Sequence, residues 1–397
     1  MPAPIAPLRI AAYTVTSAAG VGKAALLGAL GSGRSALTRN DFGPAPLPTW
    51  IGRVGGLEGA PLPKPLAAWE CRNNRLAWLG LNGDAFIDAV HAARERHGTA
   101  RIAVVLGTST SSIGATEDAY RHLDGDGAFP ADNRNPRVHT PHSLASFVQE
   151  ALDLAGPSVT VSTACSSSAK VFATAERMIR LGLVDAAVVG GVDTLCGSVL
   201  YGFNSLGLVS TQACRPFDAA RDGLSLGEAG GFALLERKHA GSTLQLRGYG
   251  ESSDAHHMST PHPEGLGARL AMGDALARAG IDAADVGYLN LHGTATPAND
   301  AVEARAVAAL FPDTLHASST KGWTGHTLGA AGIVESIFAL IALQDGLLPG
   351  TLNSRDADPA CGPQVRFDNA DRVIAHAMNN SFGFGGNNCS LVFGRAA

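Results

Sequence analysis

The run Ser158-Val-Thr-Val-Ser-Thr-Ala-Cys165-Ser-Ser-Ser-Ala-Lys-Val-Phe172 changes its periodicity at the cysteine. Before it, Val159 and Val161 alternate with hydroxyl residues at the two-residue period of a strand. After it, Val171, Phe172, Ala175, Met178 and Ile179 recur at helical spacing, and Gly182 is placed to end the helix. Cys165 is therefore predicted at a helix start, where unpaired backbone N–H groups and the positive end of the macrodipole favour a thiolate. The expectation is a reactive thiol with a pKa below the free value of about 8.5. A buried, inert cysteine is the alternative that the same residues allow.

Three later segments carry further chemistry. Leu289-Asn-Leu-His292-Gly-Thr-Ala-Thr-Pro297 puts His292 just past an apolar strand, Val286 to Leu291, and before a predicted helix that holds Asp300 and Glu303. Ser318-Ser-Thr-Lys321-Gly-Trp-Thr-Gly-His326-Thr-Leu-Gly-Ala-Ala-Gly332 supplies Lys321 and His326 on a glycine-rich loop ahead of an apolar helix, Ile333 to Leu343. Asn380-Ser-Phe-Gly-Phe384-Gly-Gly-Asn-Asn388 is a glycine-dense turn between two strand-like runs, of the kind that lets a backbone approach a ligand closely.

Around these segments, strands and helices alternate. Strands are predicted at Arg101 to Leu106, at Ser158, at Asp185 to Gly191 and at Gly231 to Glu236, then again at Thr243 to Gly248, Val286 to Leu291, His316 to Ser319 and Cys389 to Phe393. Such alternation argues for an α/β fold with largely parallel sheets. A polar break, Lys238-His-Ala-Gly-Ser242, divides the chain into residues 1–240, which hold the cysteine, and 241–397, which hold the His/Lys/His set and the glycine turn.

Composition excludes several function classes. The 397 residues carry a net charge of only −5 with no run of like charges, so no nucleic-acid surface is expected. No apolar stretch is read as reaching the roughly 18 residues of a membrane span. The N-terminus has no basic region followed by an apolar one, so a cytoplasmic protein is expected. The six cysteines show no CxxC pairing and no zinc spacing, so no metal is expected and five of them are read as reduced packing residues. The histidines at 256, 257 and 262 fit no standard zinc pattern either and are assigned a loop role.

In this order, Ala164-Cys165-Ser166-Ser167, His292-Gly293-Thr294, Lys321 with Gly325-His326, and the Asn380 to Gly386 turn closely resemble the elongating, Cys-His-His type β-ketoacyl-acyl-carrier-protein synthases of the thiolase superfamily. The resemblance runs over essentially the whole chain. It implies a thiolase-like fold, in which two similar β-α halves form a layered α-β-α-β-α body with the active site between them.

It also implies roles. Cys165 would hold the acyl chain, His292 and His326 would stabilise the enolate left when a malonyl thioester loses CO2, and backbone N–H groups of Cys165 and Phe384 would form an oxyanion hole. Lys321 would be electrostatic support with Glu303 as its acidic partner, Phe384 a gating aromatic, and Thr294 and Thr296 contacts for the pantetheine arm. No cofactor would be permanently bound, because substrates arrive on the phosphopantetheine of an acyl carrier protein. Relatives are dimers, so a homodimer, or a heterodimer with a chain-length-factor-like paralogue, is expected.

Departures from the family pattern shape finer expectations. Thr110, in the hydroxyl-rich segment Thr108 to Ser112, matches a position that sets acyl-pocket depth. Gln212 stands where a carrier-binding base often lies, which shifts that role to Arg72, Arg75 and Arg137. Cys389 is expected to be an inert strand residue. Two rival activities share parts of this set: a CoA-dependent thiolase, and a cysteine thioester hydrolase, which would leave the second histidine, Lys321 and the Phe384 turn without a purpose. Fatty-acid elongation and specialised polyene or polyketide synthesis both remain open.

Overall fold

The computed structural model describes residues 2–237 and 243–396, so the predicted break at Lys238 to Ser242 lies outside the described residues. Its first half contains β1 (Leu8–Ser17), α1 (Arg72–Leu81), β2 (Ile102–Gly107), α2 (Ile113–Arg121), α3 (Ser143–Ala151), β3 (Ser158–Val161), α4 (Ser167–Arg180), β4 (Ala186–Asp193), α5 (Gly197–Ser205) and β5 (Ala229–Arg237). The second contains β6 (Leu244–Ser253), α6 (Leu266–Ala279), β7 (Val286–Asn290), α7 (Pro297–Leu310), β8 (His316–Ser318), α8 (Ala331–Asp345), β9 (His376–Gly383) and β10 (Asn387–Arg395).

Strand pairing repeats between the halves. In the first, the order β1-β5-β4-β2-β3 has two antiparallel pairings followed by two parallel ones. In the second, β6-β10-β9-β7-β8 has the same sequence of senses. The sheets are thus mixed rather than largely parallel. For β9 and β10 the reason is the connection: the short turn Phe384–Gly386 can only return the chain antiparallel. The halves also join edge to edge, where β1 pairs with β6 at Leu8↔Leu246 and Arg9↔Gln245.

Three apolar clusters hold the five structural layers together. Phe147, Leu76 and Val90 fill the space between the outer helices and the first sheet. Phe172 of α4 with Ile337 and Phe338 of α8 fills the space between the sheets, and Met272, Leu289 and Val307 fill that under α6 and α7. Central α4 and α8 pack on each other and on both sheets, which gives the α-β-α-β-α body. The 3-10 turn Leu328–Ala330 runs into α8, so one apolar helical run, Leu328–Asp345, does reach 18 residues, with mean hydropathy 1.5. It is 89% buried, being the core helix that both sheets cover.

Candidate active site

Cys165 lies two residues before the start of α4, on a turn held in a strained shape. Ala164, just before it, has φ of 51°, the left-handed region that costs a side-chain-bearing residue energy. Three hydroxyls fix this turn. Ser166 donates to Thr163 O at 2.9 Å, Ser167 donates to Ala164 O at 2.5 Å, and Ser168 accepts the N–H of Ile333 at 2.9 Å, which ties the nucleophile turn to the start of α8. The glycine turn approaches so closely that a Cβ on Gly383 would sit 2.8 Å from Thr163 O, so only glycine fits there.

His326 is brought to Cys165 by the loop ahead of α8. Its Nε2 lies 3.0 Å from Cys165 Sγ, while its Nδ1 accepts the N–H of Leu328 at 3.3 Å. A neutral ring that accepts at Nδ1 carries its proton on Nε2, so His326 presents an N–H toward the sulfur. The ring of His292 stands edge-on to that of His326 at 5.4 Å, and its Nδ1 is buried without a partner. Burial, then the Lys321 charge, pushes both imidazoles well below the usual histidine range, so both are neutral N–H donors.

Lys321 is 1% exposed and donates to the carbonyl of His292 and to Glu335. Glu335, not Glu303, is its acidic partner. Glu303 is occupied elsewhere, accepting the backbone N–H groups of His292 and Gly293 at 2.8 Å each and the amide of Asn380 at 3.2 Å, so it clamps the histidine turn. Burial raises both carboxyl groups to about 7. The sequence held a signal for Glu335, because it is the one carboxylate within the apolar stretch Ile333 to Leu343 of that helix.

The thiol departs from the sequence expectation. Burial pushes Cys165 up to about 12, and the opposing Lys321 charge and Phe384 N–H do not reverse this. A helix start contributes up to about 2 kcal/mol toward the thiolate, less than removal from water costs here. Cys165 is therefore a neutral thiol beside a neutral imidazole until a substrate arrives.

Cys165, His292, His326, Thr294, Thr296 and Phe384 line one cavity of about 340 Å³. Thr294 and Thr296 share a hydrogen bond at 2.8 Å in its wall. The Phe384 ring stacks on Phe203 of α5 at 5.6 Å, and Phe203 lies 6.5 Å from the His326 ring, a residue the sequence reading did not single out. Loop 254–262 closes the outer side: Asp254 accepts the Asn388 amide at 2.8 Å and Gly385 N–H reaches Met258 O at 2.7 Å. His257 lines the cavity from this loop, while the His256 and His262 rings face each other at 5.3 Å.

The donor atoms of Cys165, His292 and His326 lie within 4.8 Å of one another, the one such group among the described residues. The ammonium of Lys321 beside them opposes a metal cation there. All six cysteines are free, and Cys389 is fully buried in β10 outside the cavity lining.

Thr110 and the three arginines all lie outside this cavity. Thr110 does not line this cavity, because its hydroxyl donates to Asp193 at 2.6 Å, and the same buried carboxylate grips Thr108 and the N–H groups of Ser109 and Thr110. Arg72 is taken up by Glu228 and Glu58, Arg75 by Glu70, and Arg137 lies over the Trp69 ring at 5.5 Å, and none lines the Cys165 cavity.

The chain matches two family descriptions: the beta-ketoacyl synthase N-terminal domain over residues 81–240 and the beta-ketoacyl synthase C-terminal domain over residues 244–355. It is 41% identical to the mitochondrial 3-oxoacyl-[acyl-carrier-protein] synthase of Arabidopsis thaliana, over 60% of this chain and only 56% of that protein. With 3-oxoacyl-[acyl-carrier-protein] synthase 2 of Staphylococcus aureus it shares 34% identity, over 74% of this chain and 77% of that one. Among solved structures, a chain of the ketosynthase (ApeO) in complex with its chain length factor (ApeC) from Xenorhabdus doucetiae superposes with a TM-score of 0.89 at 36% identity, covering 98% of both.

Proposed function

The chain belongs to the beta-ketoacyl synthase family, and from that premise we propose that it is a β-ketoacyl-[acyl-carrier-protein] synthase that condenses malonyl-carrier protein with an acyl chain held on Cys165. The observation that carries this reading is the pair of neutral imidazoles beside one thiol, with His326 Nε2 3.0 Å from Cys165 Sγ. The thiol attacks the incoming thioester, the acyl carbon–sulfur bond to pantetheine breaks, and the proton leaves with the pantetheine thiol. Malonyl then releases CO2, and the two imidazole N–H groups stabilise the enolate oxygen. The enolate carbon attacks the Cys165 thioester, the acyl carbon–sulfur bond breaks, and the departing Cys165 sulfur takes up a proton from water as the β-ketoacyl product forms on the carrier.

Backbone N–H groups of Cys165 and Phe384 hold the second oxyanion, Thr294 and Thr296 bind the pantetheine arm, and Phe384 on Phe203 gates the two half-reactions. Lys321 supports the site by keeping the histidines unprotonated. Substrates come on the phosphopantetheine of an acyl carrier protein, with no permanently bound cofactor, in the cytoplasm, in fatty-acid or polyketide biosynthesis. Residues 1–240 and 241–397 act as two halves, one bringing the nucleophile and the other the His/Lys/His set and the glycine turn. A second copy, or a chain-length-factor-like paralogue, pairs along β3, whose place at the end of the sheet leaves one edge without a neighbouring strand among the described residues.

The test supplies acyl-carrier protein labelled in its acyl group, then malonyl-carrier protein. Label should move to the wild type and on into a β-ketoacyl product, and Cys165→Ala should acquire none. Equal labelling of the variant, or acyl hydrolysis with no condensation, would refute the reading.

A further inference from the structure

The carbonyl of Ala164 collects three donors. From its own turn it accepts the N–H of Ser167 at 3.2 Å and the Ser167 hydroxyl at 2.5 Å. The third comes from far along the chain: Ser109, 55 residues earlier and just past the end of β2, donates its hydroxyl at 3.1 Å. This carbonyl belongs to the same peptide group as the N–H of Cys165. Resonance couples the two ends of a peptide, so donors on the oxygen draw electron density from the nitrogen and make its N–H a stronger donor.

Ser109 is exposed, yet it is held from beneath. Asp193, buried at the end of β4, accepts the N–H groups of Ser109 at 2.9 Å and Thr110 at 2.8 Å together with the hydroxyls of Thr108 at 2.5 Å and Thr110 at 2.6 Å. Four hydrogen bonds from three consecutive residues fix the shape of that segment. The loop after His326 closes over the same spot: a Cβ on Gly329 would lie 2.6 Å from Asp193 Oδ2 and 2.7 Å from Ser109 Oγ, so only glycine fits. Neither Ser109 nor Asp193 lines the Cys165 cavity. Their route to the reaction is through the Ala164–Cys165 peptide.

We propose that Ser109 is a positioning residue for the oxyanion hole, polarising the Ala164–Cys165 peptide, and that Asp193 holds the Ser109 hydroxyl in place to do so. The inference rests on the acyltransferase reading above, in which the Cys165 N–H receives an oxyanion, and adds the residues that set the strength of that donor. The hole serves the tetrahedral oxyanion of acyl transfer, whereas His292 and His326 serve the enolate of decarboxylation. Loss of the Ser109 hydroxyl should slow the first and spare the second. An oxyanion donor is worth about 10²–10³ in rate, and a neighbouring hydrogen bond changes such a bond by about 10–30%, which amounts to roughly two- to eightfold.

The experiment compares single-turnover loading of Cys165 from hexanoyl-carrier protein with conversion of malonyl- to acetyl-carrier protein, in wild type, Ser109→Ala and Ser109→Thr. Ser109→Ala should lower the maximal loading rate by about two- to eightfold and leave both the half-saturating carrier concentration and the decarboxylation rate unchanged. Ser109→Thr keeps the hydroxyl, so its ratio of loading to decarboxylation should stay near that of wild type. Asp193→Asn should lower the same ratio in the wild-type background and add nothing in Ser109→Ala, because it acts through that hydroxyl. A wild-type ratio in Ser109→Ala, whether both rates persist or both fall, overturns the inference, as does a ratio in Ser109→Thr lowered as far as in Ser109→Ala. Additive losses in the double variant overturn the part assigned to Asp193. Failure of the wild type to load hexanoyl overturns instead the acyltransferase reading beneath it.

Discussion

Replacing His326 by alanine should separate the two half-reactions. The Leu328 N–H at Nδ1 fixes the His326 proton on Nε2, and that N–H points into the cavity, 3.0 Å from Cys165 Sγ. An enolate oxygen formed beside the sulfur meets this donor among buried groups, where such a bond is stronger than in water. Loss of one donor aimed at a developing oxyanion costs about 2.7–4 kcal/mol, or roughly 10²–10³ in rate. Malonyl-carrier protein should therefore be converted to acetyl-carrier protein more slowly by that factor, followed by mass spectrometry of the carrier. Acyl loading of Cys165 should persist, because the attack needs no enolate donor. His326→Gln, which can still present an amide N–H, should recover part of the loss.

A pH profile sharpens the test. Because both imidazoles sit well below the usual histidine range, acidification from about pH 8 to about pH 6 should leave them unprotonated, and wild-type decarboxylation should not fall with a histidine pKa near 6.5. Undiminished decarboxylation in His326→Ala, or equal loss of loading and decarboxylation, would refute the assignment.

Alkylation of Cys165 by iodoacetamide should accelerate about tenfold per pH unit through neutral and mildly alkaline pH, because burial holds the thiol at about 12, whereas a plateau near neutrality would mean that the helix start outweighs burial. Lys321→Met strands Glu335, 3% exposed, without its cation, so urea unfolding should show a loss of about 3–5 kcal/mol, largely recovered by adding Glu335→Leu, and an unchanged midpoint would contradict the buried pair. Glu303 has its carboxyl raised from 4.5 to about 7, so the folded state holds its proton longer than the unfolded state, and stability is lost as pH rises across that interval. The loss is about 3 kcal/mol by linkage, and Glu303→Gln should flatten the slope between about pH 4.5 and pH 7 in unfolding titrations.

Period changes and glycine placement made most of the fold legible along the chain. The strands at 102, 158, 186, 229, 244, 286 and 387 announce themselves by short β-branched or apolar runs, and Gly182, with φ of 72°, ends α4 as its position suggests. β1 escaped because Ala11-Ala12 interrupts the alternation, and the structure has a register shift at that place, between Ile10 and Ala12. The mixed sense of the sheets escaped as well, since periodicity carries no information about strand direction.

By itself the sequence determined the local chemistry: a thiol where a strand becomes a helix, two histidines and a lysine after strands of the second half, and a glycine turn that a bulkier chain could not form. Tertiary structure alone decided how those groups act. Burial, which depends on every layer packed over the site, turned the expected thiolate into a neutral thiol and both histidines into neutral donors. Partner choice followed the same rule. Glu303, eleven residues from His292, was captured by that histidine's own backbone, and the lysine found Glu335 instead, because α8 carries it through the core into reach. Desolvation and through-space pairing sum over groups distant in the chain, so no reading of neighbouring residues could have set their sign.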